Sequence, residues 1–183
     1  MITEQLIWMI FILPLISFLI CSLIIRQLFN NRSIFAGYIA ILLIGLSFLI
    51  SVLAFYEVII NHKQITTAPI EWLTIGQFTL SIGLLIDPLT MVMLTVVTGV
   101  SLMVQVYSLG YMKNSGQDSN NSEDPVELGQ PVLARYFSYM SLFTASMLGL
   151  ILASNIIQLF IFWELVGLCS YLLIGFWFHK PSA

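Results

Sequence analysis

Residues 160–180, FIFWELVGLCSYLLIGFWFHK, place a single carboxylic acid, Glu164, inside a long apolar run. A helix of about 20 apolar residues is needed to cross the roughly 30 Å of hydrocarbon in a bilayer, and this run reaches that length. The whole chain has the same character, because 59% of its residues are hydrophobic, 8% are charged and the mean hydropathy is +0.99. Such values lie far outside the range of soluble domains and predict an integral membrane protein.

Five segments of the sequence are long and apolar enough to span the bilayer. They predict an all-α polytopic membrane protein with transmembrane helices at residues 5–26, 33–56, 87–111, 132–153 and 155–178. The first segment has no basic flank and no small-residue cleavage site, so we expect it to remain as a helix and not to act as a signal peptide. Asp87 and Pro88 predict the start of the third helix, with Asp87 as the N-cap residue.

The two longer connections differ in their pattern. Residues 70–82, IEWLTIGQFTLSI, form two short stretches on either side of Gly76 and Gln77. This pattern predicts a short β-hairpin on the outer face of the membrane, between the second and third helices. Residues 113–131 are polar and acidic without periodic apolar residues, which predicts a flexible cytoplasmic loop. A solvated linker is the favoured interpretation of its acidity, ahead of a binding site for cations or a basic partner.

The basic residues are divided unequally between the two sides of the predicted spans. Only Lys63 falls on the side that also holds the N-terminus, and the other five lie opposite: Arg26, Arg32, Lys113, Arg135 and Lys180. Basic residues concentrate in cytoplasmic loops, so the N-terminus is predicted to lie outside and the C-terminus inside.

The sequence lacks the metal-binding and phosphate-binding motifs that are common in soluble enzymes. Cys21 and Cys169 both lie inside predicted spans and do not form a zinc or iron–sulfur motif. There is no glycine-rich phosphate loop, and His62 and His179 lie at predicted water interfaces, where a solvated histidine is the ordinary interpretation. We therefore expect no cofactor, no metal and no nucleic acid to bind to this chain.

The position of Glu164 is unusual for a carboxylic acid. It lies within about one helical turn of the midpoint of the fifth span. An ionised acid at that depth costs at least roughly 2.5 kcal/mol unless it is hydrated or paired. Hydrocarbon favours the neutral form of a carboxyl group and a nearby cation favours the charged form, so such a group can take up and release a proton. We expect Glu164 to be a proton relay, and the alternative is a permanently protonated group that donates one interhelical hydrogen bond.

Two helical faces carry further polar side chains. At 100° per residue the face of Glu164 also includes Gly167, Leu168, Tyr171 and Gly175. Spacings of three and four in the third span align Thr98, Ser101, Gln105 and Ser108. We predict that Tyr171, Thr98, Ser101 and Gln105 contribute to a polar path. Close helix packing at the glycines, and hydroxyls that bond to their own helix, are equally good structural interpretations.

Three stretches of the chain resemble a known family. They are FIFWELVGLCSYLLIGFWFHKPSA at 160–183, DPLTMVMLTVVTGVSLMVQVYSLGYM at 87–112 and RYFSYMSLFTASMLGL at 135–150. Their sequences are similar to the N-terminal part of subunit L of the proton-pumping NADH:quinone oxidoreductases of the complex I family. That subunit is called chain 5 in mitochondria and the F chain in chloroplast-type complexes.

This resemblance implies a role in redox-driven proton pumping. Glu164 matches the mid-membrane acid that the family pairs with a lysine on a later helix. The resemblance places NADH, flavin, iron–sulfur clusters and quinone in partner subunits, with other membrane subunits as direct partners and no redox centre in this chain. The expected location is a bacterial plasma membrane, or an inner or thylakoid membrane of an organelle.

The resemblance also leaves alternatives open. The family's lysine lies on a helix beyond Ala183, and Lys63, Lys113 and Lys180 all lie outside the predicted spans. We therefore expect the chain to be an N-terminal part of a longer or split subunit. A subunit of a multi-subunit Mrp-type cation/proton antiporter is one alternative function, and a non-catalytic structural subunit is another.

Overall fold

Five long helices and one β-hairpin form the fold, in a computed structural model that describes residues 4–25, 34–61, 70–75, 78–118 and 130–177. The helices are α1 Glu4–Leu19, α2 Ile34–Asn61, α3 Pro88–Asp118, α4 Gln130–Ile151 and α5 Ile156–Ile174. A π-helical turn, Ile20–Ile25, continues α1, and a 3-10 turn, Gly175–Trp177, follows α5. The prediction of an all-α polytopic membrane protein with a hairpin between its second and third helices is confirmed.

Helix α4 is long enough to span a membrane but is less apolar than the spans formed by the other four helices. Within the described residues, four segments are long and apolar enough to cross a membrane: Gln5–Leu23, Phe35–Val58, Pro88–Met112 and Ile156–Ile174. With 22 residues α4 is also long enough, but it is more polar. Its hydroxyl side chains are buried against the other helices: Ser138, Ser141, Thr144 and Ser146. The polar groups of α4 therefore face protein, which removes the cost of placing them in lipid.

The core lies between the first four helices. Helix α2 packs along α3, α1 packs against α2 and α4, and α5 packs on α4. One end of the core contains large apolar side chains such as Ile7, Met91 and Leu148. At the other end the helices approach each other at small residues, and Ala36 and Ala40 pack there. Small residues allow close helix contact, which is the main source of packing energy where lipid and side chains are equally apolar.

The hairpin consists of β1, Ile70–Ile75, and β2, Phe78–Ile82, paired antiparallel. The predicted hinge at Gly76 and Gln77 lies outside the described residues. The chain that leaves β2 is fixed to the end of α4, because the Leu85 N–H donates to the Leu152 carbonyl at 3.0 Å. We call this end of the helix bundle the hairpin end.

The start of α3 agrees with the prediction made from Asp87 and Pro88. The Thr90 N–H donates to Asp87 Oδ1 at 2.6 Å, and α3 begins at Pro88. Hydrogen bonds from the side chain and the N–H of Thr90 stabilise the carboxylate and hold the pKa of Asp87 below its usual value. Asp87 is therefore an N-cap that keeps its charge at neutral pH.

The predicted loop at residues 113–131 is shorter than expected. Helix α3 continues to Asp118, and residues 130–131 belong to α4. The first six residues and the last two of that prediction are therefore wrong, and residues 119–129 lie outside the described residues. A helix that has already formed can continue into water, because each added residue makes its own backbone hydrogen bond and needs no apolar side chain. The change to polar residues marks the edge of the apolar span and not the end of the helix.

Candidate functional site

The start of α5 is held by side-chain amides. Asn155 is the N-cap, and its Oδ1 accepts the Gln158 N–H at 2.8 Å, while its Nδ2 donates to the Ser81 carbonyl in β2. Gln158 is buried, and its Oε1 accepts from the Gly83 N–H at 3.3 Å and the Ser154 hydroxyl at 3.4 Å. These bonds attach the first turn of α5 to the hairpin and thereby fix where α5 begins.

Replacing Gln158 by Leu is expected to lower the free energy of unfolding by about 1–3 kcal/mol, because the buried Gly83 N–H loses its acceptor. Replacing Gln158 by Glu keeps an acceptor oxygen of the same reach, so the loss should be smaller. Thermal unfolding of the purified protein in detergent measures both changes. Equal losses of unfolding free energy in the two variants would show that Gln158 Oε1 does not stabilise the fold as the acceptor for the Gly83 N–H.

One face of α5 packs on the bundle. Within α5 only Gln158 and Cys169 are buried. The Cys169 sulfur lies 3.9 Å from the Ser146 hydroxyl on α4. The Phe162 ring covers Gly149 of α4 and meets the ring of Phe11 edge to face, with 5.6 Å between centroids. The contacts of the Phe162 ring with Gly149 and Phe11 fix the rotation of α5 about its own axis.

The opposite face of α5 carries Glu164 and points away from the other described helices. Glu164 is exposed and lies one residue from the middle of Ile156–Ile174. Leu168 and Tyr171 on the same face are 52% and 73% exposed. A side chain added at Gly167 would meet no atom of the described residues within 4 Å. The structure thus places the acid on a face of α5 that is otherwise largely apolar and offers open space one turn away.

The polar stripe of α3 lies elsewhere. Thr98, Gln105 and Ser108 are buried, and Ser101 is half-buried. Thr98 lies 3.4 Å from the Ser51 hydroxyl on α2, and Ser108 lies 3.0 Å from the Tyr136 hydroxyl on α4. The stripe therefore faces the interior between α2, α3 and α4.

The two predicted parts of the polar path lie on different surfaces. Tyr171 accompanies Glu164 on the exposed face of α5, whereas Thr98, Ser101 and Gln105 belong to the interior-facing side of α3. Helix α4 packs against α5 and also against α3. The structure brings Glu164 and Tyr171 to one face and does not bring the α3 stripe to them.

Sequence reasoning missed the amide contacts at the start of α5. Asn155 and Gln158 stand at the N-cap and N3 positions, directly before and within the first turn of an apolar run. An Asn followed three residues later by Gln resembles a capping box, and that signal was present in the sequence. Its second role, binding to the segment after the hairpin, depends on tertiary contacts that the sequence pattern does not contain.

Comparison with known proteins gives two family matches. Residues 72–121 match the family described as NADH-Ubiquinone oxidoreductase (complex I), chain 5 N-terminus. Residues 153–183 match NADH:quinone oxidoreductase/Mrp antiporter, TM, a match that includes all of α5 and Glu164.

Curated relatives agree with these matches. NAD(P)H-quinone oxidoreductase subunit 5, chloroplastic, of Chlorokybus atmophyticus is 42% identical over 179 residues, which cover 96% of this chain and 25% of the relative. The protein of the same name from Mesostigma viride is 38% identical and is matched over 98% of this chain and 26% of its own length. The chain is thus similar to the subunit 5 family of the NADH:quinone oxidoreductases. It corresponds to the N-terminal part of that family and spans about a quarter of the length of these relatives.

A solved structure is also similar to this chain. The Mrp complex from Dietzia sp. DQ12-45-1b contains a chain that is 27% identical to this one, with a TM-score of 0.64. The match covers 96% of this chain and 16% of the Mrp chain. The helix arrangement described above is therefore similar to that of part of a chain in an Mrp complex.

Proposed function

We propose that this chain is the N-terminal part of a proton-translocating, antiporter-like membrane subunit of an NAD(P)H:quinone oxidoreductase, and that Glu164 takes up and releases the proton. The observation that carries the proposal is the position of Glu164. It lies at the middle of an apolar helix, on a face that no other described helix covers, within the segment that matches the family. This position at mid-helix supports a role in carrying a proton across the membrane.

The exposed face of Glu164 must be covered when the protein is in a membrane. An ionised acid in contact with lipid costs at least about 2.5 kcal/mol, and a neutral acid there still lacks a hydrogen-bond partner. The relatives are about four times as long as this chain, so they contain ample sequence for further helices. We propose that such helices, or other membrane subunits, cover this face and supply water and a cation to Glu164.

The described residues around α5 would contribute to proton transfer by holding Glu164 in a fixed position. Asn155 and Gln158 fix the start of α5, and the contact between Phe162 and Gly149 fixes its rotation, so that Glu164 faces the covering helices. Open space beside Gly167 would admit water to the acid. A cation that approaches would favour the carboxylate and its departure would favour the neutral acid, so movement of that charge would drive proton uptake and release.

The electron-transfer chemistry would reside in partner subunits. NAD(P)H oxidation, flavin, iron–sulfur clusters and quinone belong there in this proposal, and this chain would contribute only proton transfer. The proposed orientation follows the basic residues, with the N-terminus outside and the C-terminus inside. The membrane would be a bacterial plasma membrane or an inner or thylakoid membrane of an organelle.

Proton uptake driven by quinone reduction tests this function. Inside-out vesicles from cells with and without the gene should be given NADH or NADPH together with a quinone. We expect acidification of the vesicle interior that depends on the gene and disappears when quinone is omitted. Acidification that is unchanged in vesicles from cells without the gene would refute the proposal.

Sodium/proton exchange is the second candidate function, and the structural similarity to a protein of an Mrp complex favours it. The same vesicles distinguish the two functions. An antiporter would move protons on addition of Na⁺ to energised vesicles whether or not quinone is reduced. Gene-dependent proton movement that requires Na⁺ and not quinone would select the antiporter.

A further inference from the structure

Gln105 is a buried amide in a membrane helix without a partner for its side chain. It is 0% exposed, and neither Nε2 nor Oε1 has a hydrogen-bond partner among the described residues. It lies inside the apolar span Pro88–Met112, five residues, or about 7.5 Å, from the middle of that span. Buried amides in proteins almost always form hydrogen bonds, so a group at this position requires a ligand.

The neighbouring polar side chains of α3 form hydrogen bonds with other protein atoms. Thr98 donates to the Leu94 carbonyl at 2.7 Å in its own helix, as hydroxyls in membrane helices often do. Ser108 forms its hydrogen bond with Tyr136 on α4. Gln105 makes neither kind of bond, although it lies on the same interior-facing side between Thr98 and Ser108. The usual structural explanation of a polar group in a membrane helix therefore does not apply to it.

The surroundings determine the chemistry of the ligand. Among the described residues, the buried polar residues are Ser, Thr and Gln, and the one charged side chain with a buried nitrogen, that of the half-buried Arg135, lies against the Phe176 ring, 5.0 Å from its centroid. A cation at this depth would need carboxylate or several carbonyl ligands. The amide offers donors and an acceptor together, which suits a small neutral ligand that also does both. Water is the smallest molecule with that property.

We infer that Gln105 binds an internal water molecule that joins its amide to the nearer of two groups of hydroxyls inside the bundle, the pair formed by Ser108 and Tyr136. Towards the hairpin end lie Thr98 and Ser51, with Ser51 donating to the Thr95 hydroxyl at 3.1 Å. Towards the other end lie Ser108 and Tyr136, 3.0 Å apart. Gln105 is three residues, or about 4.5 Å along the helix, from Ser108 and seven residues, or about 10.5 Å, from Thr98. The site lies between α2, α3 and α4 and is separate from the face of Glu164, so it does not depend on the proposed function.

An experimental density map of the complete protein tests the site directly. We expect a peak for water about 2.7–3.2 Å from Gln105 Nε2 or Oε1, in a map that shows buried waters elsewhere. Direct hydrogen bonds from the amide to protein atoms alone, or an amide with no peak beside it, would overturn the inference.

The second test is whether the substitution Gln105→Met raises or lowers the melting temperature, Tm. Replacing Gln105 by Met keeps the size of the side chain and removes the amide. If water satisfies the amide and joins it to the nearer pair of hydroxyls, Gln105→Met should lower the Tm by about 2–4 °C, the shift expected for one net hydrogen bond in a domain of this size. If the amide is dry and unpartnered, the same change should raise the Tm. The matched control is Leu94→Met, which changes a residue that is also 0% exposed in the same helix and should leave the Tm nearly unchanged.

Discussion

Replacing Glu164 by Gln is expected to reduce proton translocation by at least about tenfold while the protein assembles normally. Gln has the size and hydrogen-bonding capacity of the protonated acid but cannot release a proton. The side chain points away from the described helices, so the exchange disturbs no described contact of the fold. The measurement is quinone-dependent acidification in vesicles, divided by the amount of assembled protein.

Two further variants separate proton transfer from packing. Glu164→Asp keeps a titratable group and shortens the side chain by one methylene, so partial activity is expected if water bridges the gap. Cys169→Ala changes the buried, opposite face of the same helix and should leave translocation nearly normal. Full activity of Glu164→Gln would show that the acid is a static hydrogen-bonding group, and the proposed relay would then be wrong.

The helices and the hairpin could be predicted because their signals are local. A membrane helix needs only length and apolar composition, and the apolar spans around Gln5–Leu23 and Phe35–Val58 supply both. The hairpin followed from two short stretches on either side of Gly76. The N-cap at Asp87 followed from two adjacent residue types. Each of these features depends on a few neighbouring residues, which is the information that a sequence pattern contains.

The surroundings of the polar side chains could not be predicted in the same way. Periodicity placed Glu164 and Gln105 each on a face with at least one other polar side chain, yet Glu164 is exposed and Gln105 is buried. Periodicity identifies residues that share a face, but the neighbouring helices determine what covers that face. For the same reason the sequence alone could not show that α4 packs against the helices of both Tyr171 and Thr98, and their common polar path stays a prediction. The end of α3 at Asp118 was missed because a helix in water needs no apolar signal.

Gly149 is the residue through which α4 determines the position of α5. Replacing it by Ala is expected to lower the free energy of unfolding by about 1–3 kcal/mol, because the added Cβ would overlap the Phe162 ring, with Cζ only 2.7 Å away. Phe11 packs against the ring edge to face, so a ring that swings away from the new methyl group gives up that contact. Relief by movement of α5 away from α4 would carry Glu164 with it, so translocation per assembled complex should also fall.

The control for this prediction is the same substitution at a glycine with room beside it. A Cβ at Gly45 in α2 would meet only Leu102 Cδ1 at 3.8 Å, an ordinary contact. Gly45→Ala should therefore be neutral or stabilise the helix slightly, because Ala is a better helix former than Gly. Adding Phe162→Leu to Gly149→Ala should recover part of the lost stability, since the smaller side chain can withdraw from the new methyl group. Equal unfolding free energies for Gly149→Ala and Gly45→Ala, measured in the same detergent, would show that the contact with Phe162 does not position α5.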